Sequence, residues 1–431
     1  MRFHHDSSGN RRTRTSAPQR IGVVGVLARD GTLEVVDILM EEGLRGRGIR
    51  HNGGVTRSDV RRWLLLTLSV VVLVPTAGMA LAVVNSDEPA LQTAATWARN
   101  HGFSKMVDRL EMWRYDGEPS TELADDLALA DGLVTTTSLS STPTTSVAPV
   151  SAAPTTTTTT YAPTPLRTAQ EVPLDGEGRW IPVAAVEGRN VMWATSTRPL
   201  REYGSVRATF VRIDQSELRF GLYNGTQTPG GRDWVNGHKV AEEDLPDLMV
   251  AFNGGFRFEH LDGGYFTEGR EVKPLVDGQG TIAIDRDGRI TIGMYGRDLT
   301  NDGTWVSIRQ NLPLMIDDNV SIVDLYRDDE WGVAKGGEVV VFRSALCSLD
   351  DGMLMYVAAG DVGIGDFARI LVDVGCRKAV QLDVNGTWPQ IAVYLGFGTT
   401  DRSGIVLDSR MRNADRYING TEKDFIAGFV R

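Results

Sequence analysis

Carboxylates, arginines and asparagines at the ends of apolar runs are the residues of this chain best placed to do chemistry. In "LMVAFNGGFRFEHLDGGYFTEG" an apolar run, residues 248–252, breaks into Asn253-Gly254-Gly255, and Asp262 and Glu268 follow. "SIRQNLPLMIDDN" sets Arg309 and Asn311 before an apolar stretch and two aspartates after it. "VVVFRSALCSL" carries Arg343, "MLMYVAAGD" ends on Asp361, and "AVQLDVNGTW" ends in Asp383, Asn385, Thr387 and Trp388. Polar groups at the ends of apolar strands can share one cleft, where burial tunes their proton affinity. Taken one at a time, each is also ordinary turn chemistry.

Other chemistries are excluded by what is missing. There is no HExxH, GxSxG, Walker loop or strand-borne GxGxxG. Only His238 and His260 lie beyond residue 166, too few for a zinc cluster and a poor basis for a histidine triad. Acid–base work must then fall to carboxylates. No motif calls for a cofactor and no spacing names metal ligands, although a divalent cation on the aspartates stays open.

The elements that position these residues occupy the last part of the chain, about 265 residues from 167 to 431, enough for a sizeable core. Short β-rich runs dominate, "TIAIDRDGRITIG" reads as a hairpin turning at Asp287-Gly288, and "GDFARILVDVGC" places Phe367, Ile370, Leu371 and Val374 at helical spacing. No βα alternation is sustained. The expected class is α+β, with mixed, largely antiparallel sheets and a few packed helices. Asn-Gly-Thr triplets at Asn224, Asn385 and Asn419 read as turns more readily than as glycan acceptors. Cys347 and Cys376 are the only cysteines; a disulfide and two buried free thiols are both open.

Upstream, residues 63–84 are twenty-two residues without a charge, about 33 Å as a helix and enough to span a bilayer core. Residues 1–62 carry twelve arginines against seven acidic residues. The positive-inside rule therefore expects a cytoplasmic basic tail, a signal anchor at 63–84 and everything later outside the plasma membrane. An n-region of 62 residues is too long for a cleaved signal peptide. Residues 85–131 read as a short helical extracellular segment. Residues 132–166, charge-free and rich in Thr, Ser and Pro, read as a disordered linker with a reach of order 100 Å. The chain's net charge is −11 and the basic tail contributes a surplus of five, leaving −16 for the remainder. An acidic exterior portion argues against nucleic acid as a partner.

Taken in order, Asn-Gly-Gly-Phe at 253–256, Gly-Gly-x-Phe-x-x-Gly at 263–269, "RQNLPLMIDD", Arg-Ser-Ala at 343–345 and "LDVNG" at 382–386 resemble the phosphodiester glycosidase family. That family includes the "uncovering enzyme", which removes N-acetylglucosamine from a phosphodiester linked to mannose. The resemblance covers roughly residues 170–430, and "PLVDG", "RQNL" and "QLDVNGTWP" are most similar to bacterial, particularly actinobacterial, secreted members.

The resemblance implies cleavage between a sugar anomeric carbon and a phosphate oxygen. It makes Asp383, Glu268 and Asp262 the candidate catalytic carboxylates, and Arg309 and Arg343 the phosphate grip. Asn253, Gly254, Gly255, Asn311, Asp361, Asn385, Thr387 and Trp388 would line the substrate. One departure stands out. Much of the family has Leu-Asp-Gly-Gly-Gly-Ser where this chain has Leu-Asp-Val-Asn-Gly-Thr-Trp, a poorer backbone nest for an anion. Thr387 would then replace the hydroxyl and Trp388 stack on a sugar face. Two functions follow: a membrane-anchored hydrolase of envelope glycosyl phosphodiesters, or a catalytically inactive wall-glycan or phosphoglycan binding module on a stalk.

Overall fold

The computed structural model describes residues 23–29, 32–38, 76–84, short pieces between 93 and 110, and residues 119–129, 162–326, 331, 340–384 and 388–431. Two units are distinguished, Met1–Val72 and Leu73–Arg431. In the first, β1 (Val23–Arg29) and β2 (Thr32–Ile38) pair antiparallel. The apolar run 63–84 is helical over 76–84, and its earlier part lies outside the described residues. Among the described residues no helix is long and apolar enough to cross a membrane.

The second unit holds the sheets. Its strands begin with β3 (Ile181–Val186), β4 (Arg189–Thr197), β5 (Ala208–Ile213), β6 (Leu218–Tyr223) and β7 (Leu248–Asn253). There follow β8 (Tyr265–Thr267), β9 (Arg270–Lys273), β10 (Gly280–Asp285), β11 (Ile290–Met294), β12 (Trp305–Gln310), β13 (Leu314–Asp317) and β14 (Val320–Ser321). Last come β15 (Val341–Ser348), β16 (Leu354–Val362), β17 (Lys378–Val384), β18 (Ile391–Leu395), β19 (Ser403–Val406) and β20 (Phe425–Val430). Among the helices that accompany them are α1 (Ile364–Asp373) and α2 (Arg416–Asn419).

The strands form an eight-stranded sheet, β14-β13-β17-β15-β16-β5-β4-β3, and two five-stranded sheets, β11-β10-β12-β8-β9 and β19-β18-β7-β20-β6. Every described strand ladder is antiparallel. Alternation along the strands of the large sheet, broken at a few bulges, explains its layers. Met192, Val211, Leu346, Tyr356 and Leu382 face Phe252, Leu222 and Ile282 of the smaller sheets in one core. Phe210, Ala345, Val357 and Ala379 face the other way, onto Phe367, Ile370 and Leu371 of α1.

The Asp-Gly hairpins form at β10–β11 and β15–β16, with Gly288 and Gly352 at φ +72° and +81°, a conformation glycine adopts freely. Asn224 is buried, donates to the Asn236 carbonyl at 2.7 Å and accepts from the Tyr265 hydroxyl at 2.8 Å, so its side chain serves a turn.

Cys347 on β15 and Cys376, just beyond α1, are joined by a disulfide with Cα atoms 5.6 Å apart. The bond closes a loop with a sequence separation of 29 residues and ties the helix to the sheet it covers. Cys376→Ala is expected to lower stability by about 2–4 kcal/mol, the usual range for a loop of this size. Denaturant midpoints with and without reductant check it: reduction should move the wild type and leave the variant unchanged.

Candidate functional site

The ends of β7 and β17 meet the start of β20. β20 pairs antiparallel with β7, setting Phe425 opposite Asn253, so Lys423 and Asp424 lie against Gly254 and Gly255. The Gly254 N–H donates to the Asp424 carbonyl at 3.0 Å, and the Asp383 N–H donates to the Gly254 carbonyl at 3.3 Å. A Cβ on Gly254 would sit 2.2 Å from the Asp424 carboxylate, and one on Gly255 2.1 Å from Asn311 Oδ1. The glycines are there because two polar segments cross within contact distance of this turn.

Asp383 reaches the cleft through a register shift. Between β15 and β17, Ala345 stands opposite Gln381 and Arg343 opposite Val384, so β17 advances three residues while β15 advances two. By simple alternation Asp383 would share the face of Ala379, which packs toward α1. The extra residue re-aims it into the cleft.

The cleft is narrow, with about 10 Å³ of space for a water-sized sphere, and is lined by Asn253, Gly254, Asp383, Trp388, Arg416 and Lys423, with the buried Tyr417 and Asp424 beside them. Asp383 and Lys423 form an ion pair in which both side chains are nearly buried. Burial pushes the Lys423 ammonium well below the usual lysine range; Asp424 opposes that shift, while Arg257 and Arg309 reinforce it. The Trp388 ring is ringed by cations, with Arg416 and Lys423 each 4.6 Å from its centroid, Arg412 at 5.6 Å and Arg257 at 5.8 Å. The Tyr417 hydroxyl is buried and has no hydrogen-bond partner among the described residues.

Behind this surface lies a second ion pair. Arg309 donates through Nε to Asp424 Oδ2 at 2.8 Å and through Nη2 to Oδ1 at 3.2 Å. Its remaining donors go to the Phe256 and Gln310 carbonyls, at 2.5 and 2.6 Å. Asp424 also accepts the Gly255 N–H at 3.1 Å. Every nitrogen of this guanidinium is committed to the protein, and none lines the cleft.

The fold thus sorts the residues picked out from the sequence. Asn253, Gly254, Gly255, Asp383 and Trp388 come together in the cleft. The Asn253 amide is engaged within the protein, accepting from Tyr356 and the Gln390 N–H and donating to Ser344. Asn385 and Thr387 lie outside the described residues.

Several expected site residues stand elsewhere. Arg309 is the inner partner of Asp424. Asn311, behind the turn, accepts the Phe256 N–H at 3.1 Å. Arg343 is buried off the cleft, donates to the Val362 carbonyl at 2.9 Å, and is pushed down to about 10 by burial. Glu268 accepts the N–H groups of Val235 and Asn236, which makes it a loop clamp. Asp262 and Asp361 are exposed away from the cleft, Asp361 in the β16 bulge at φ +54°.

Lys423, Asp424, Arg416 and Tyr417 were not picked out from the sequence. Their only local sign is "RYINGTEKDF", a turn triplet followed by a Lys-Asp pair just before an apolar strand. Among the described residues no group of three or more His, Cys, Asp and Glu could hold a metal ion.

Residues 247–384, from β7 to the end of β17, match the family model described as phosphodiester glycosidase. No curated protein matches the chain. Among solved structures, the chain is similar to the catalytic domain of zebrafish N-acetylglucosamine-1-phosphodiester alpha-N-acetylglucosaminidase. The identity is 13% and the TM-score 0.39, over 59% of this chain and 88% of that one. It is also similar to a hypothetical protein from Synechocystis, at 13% identity and a TM-score of 0.36, over 58% of this chain and 64% of that one. The stretch that supplies Asn253, its glycine turn and Asp383 to the cleft lies within the residues, 247–384, that match the phosphodiester glycosidase model.

Proposed function

We propose that this chain hydrolyses the bond between a sugar anomeric carbon and a phosphate oxygen, with glycosyl phosphodiesters of the cell envelope as substrates. In this reading residues 63–84 anchor the chain in the plasma membrane and the catalytic domain works outside it. The observation that carries the reading is the Asp383–Lys423 ion pair in a cleft that Arg416 also lines.

The reaction asks for both signs of charge. As the anomeric C–O bond breaks, its electron pair leaves with a phosphate monoester, a dianion at neutral pH, and positive charge develops on the sugar ring. Arg416 and Lys423 face the leaving phosphate, and Arg257 and Arg412, on the same Trp388 ring, add to the positive field. Asp383 faces the sugar, stabilising the oxocarbenium-like carbon or taking a proton from the water that adds to it. Trp388 is only 6% exposed within its ring of cations, which makes it a poor open platform for stacking a sugar and weighs against a purely glycan-binding role.

The direct test is to incubate the full chain with a panel of sugar phosphodiesters and measure free sugar. Release is expected, and Arg416→Ala should lower kcat/KM by about 10- to 150-fold, the value of a charge-assisted hydrogen bond of about 1.5–3 kcal/mol. Binding of the same compounds without release by the wild type would identify a binding module instead.

A further inference from the structure

Residues 119–129 precede the Thr/Pro-rich run, yet they are built into the domain that follows it. The Ala124 N–H donates to the Gly204 carbonyl at 2.9 Å, and the Ser205 hydroxyl donates to the Ser120 carbonyl at 2.6 Å. Ser196, fully buried at the end of β4, has its hydroxyl 2.6 Å from the Leu127 carbonyl. The Ser409 N–H donates to the Ala128 carbonyl at 2.8 Å, and Leu129 forms an antiparallel bridge with Asp408.

Side chains reinforce this. Asp126 pairs with Arg207 and accepts the Ala128 N–H at 2.8 Å. Ala128 is buried and held at φ +57°, a left-handed conformation an alanine keeps only where its surroundings impose it. Leu129 packs against the core between the sheets. These contacts reach the end of β4, the β4–β5 connection and the segment after β19, parts of the chain about 200 residues apart that meet only in the folded domain.

The other end of the Thr/Pro-rich run is tied down as well. The Leu166 N–H donates to the Gly178 carbonyl at 2.9 Å, and the Trp180 indole donates to the Thr164 carbonyl at 2.9 Å. Leu166 packs on the core beneath α1.

We infer that residues 119–129 are a clasp docked in cis on the catalytic domain, and that the Thr/Pro-rich run leaves this domain and returns to it. The run then adds nothing to the distance the domain can reach. The domain is held at residue 119, so cutting the chain between clasp and domain does not set the domain free. This inference is independent of the reaction. Combined with membrane anchoring, it confines the cleft to substrates reachable through residues 85–118 rather than through a further spacer of order 100 Å.

The test is a full chain in detergent, carrying an N-terminal affinity tag and a protease recognition sequence inserted after residue 148. After complete cleavage, the C-terminal fragment is expected to stay on the affinity resin and to leave only in denaturant. Release of that fragment under native conditions overturns the inference, and this arm needs no further variant. In a second arm Ala128→Arg drives a charged side chain into the buried seat. After cleavage its C-terminal fragment, with folding checked by its thermal transition, is expected to wash off at least ten times faster. Retention of a folded Ala128→Arg fragment equal to wild type overturns the clasp as the element that holds the two pieces together.

Discussion

Arg309→Met is expected to destabilise the domain by about 3–5 kcal/mol, the range for removing one partner of a buried ion pair. The substitution keeps an apolar stem in the space but strands the fully buried Asp424 carboxylate and orphans the Phe256 and Gln310 carbonyls. Asp424 also holds the Gly255 N–H, so the whole turn after β7 should loosen with it. A shift of the denaturant midpoint at unchanged m-value measures the effect. The contrary result is equally informative. Unchanged stability with weakened binding of sugar phosphodiesters would make Arg309 the phosphate ligand its place in "RQNLPLMIDD" suggests, and would refute its assignment as an inner support.

Asp383→Asn is expected to lower turnover by about 100- to 10,000-fold, the span for a residue acting as general base or facing developing positive charge. Stability alone cannot separate catalytic from structural roles at this position, because Asp383 is the ion-pair partner of buried Lys423. Asp383→Asn leaves that ammonium facing an amide, and some loss of stability follows whatever the residue does in the reaction.

The double variant Asp383→Asn, Lys423→Met resolves this when its turnover is read against the single variant Lys423→Met, because Lys423 itself faces the leaving phosphate. With both charges gone the buried pair costs nothing further, so thermal stability should return to near the wild-type value while turnover stays low. If turnover recovers together with stability in the double variant, Asp383 is structural and the carboxylate of the reaction lies elsewhere.

Local sequence determined much of this architecture. Asp-Gly between alternating apolar residues makes hairpins at Asp287-Gly288 and Asp351-Gly352, because the turn needs a residue free to adopt positive φ. The spacing of Phe367, Ile370 and Leu371 makes a helix with one apolar face, and that face is buried against the large sheet. The glycine turn after β7 and the aspartate ending β17 were legible as a candidate site for the same reason: each is punctuation at the end of a buried strand. The motifs around them carried the family resemblance.

Which charged groups meet in the cleft was decided only by tertiary structure. Gly255 and Asp424 are 169 residues apart, and they touch because β7 and β20 pair in one register. Nothing near Lys423 or Asp424 in the chain announces that pairing. Arg309 and Arg343 look like ligands in sequence, since an arginine at a strand end has no visible partner. In the fold one is committed to Asp424, and the other is buried off the cleft. Asp383 enters the cleft through a single extra residue in β17, a shift that period-two reading cannot see. The clasp at 119–129 was hidden for a related reason. It has no periodicity of its own, and it is ordered by hydrogen bonds to backbone and side-chain groups that only the completed sheets bring together.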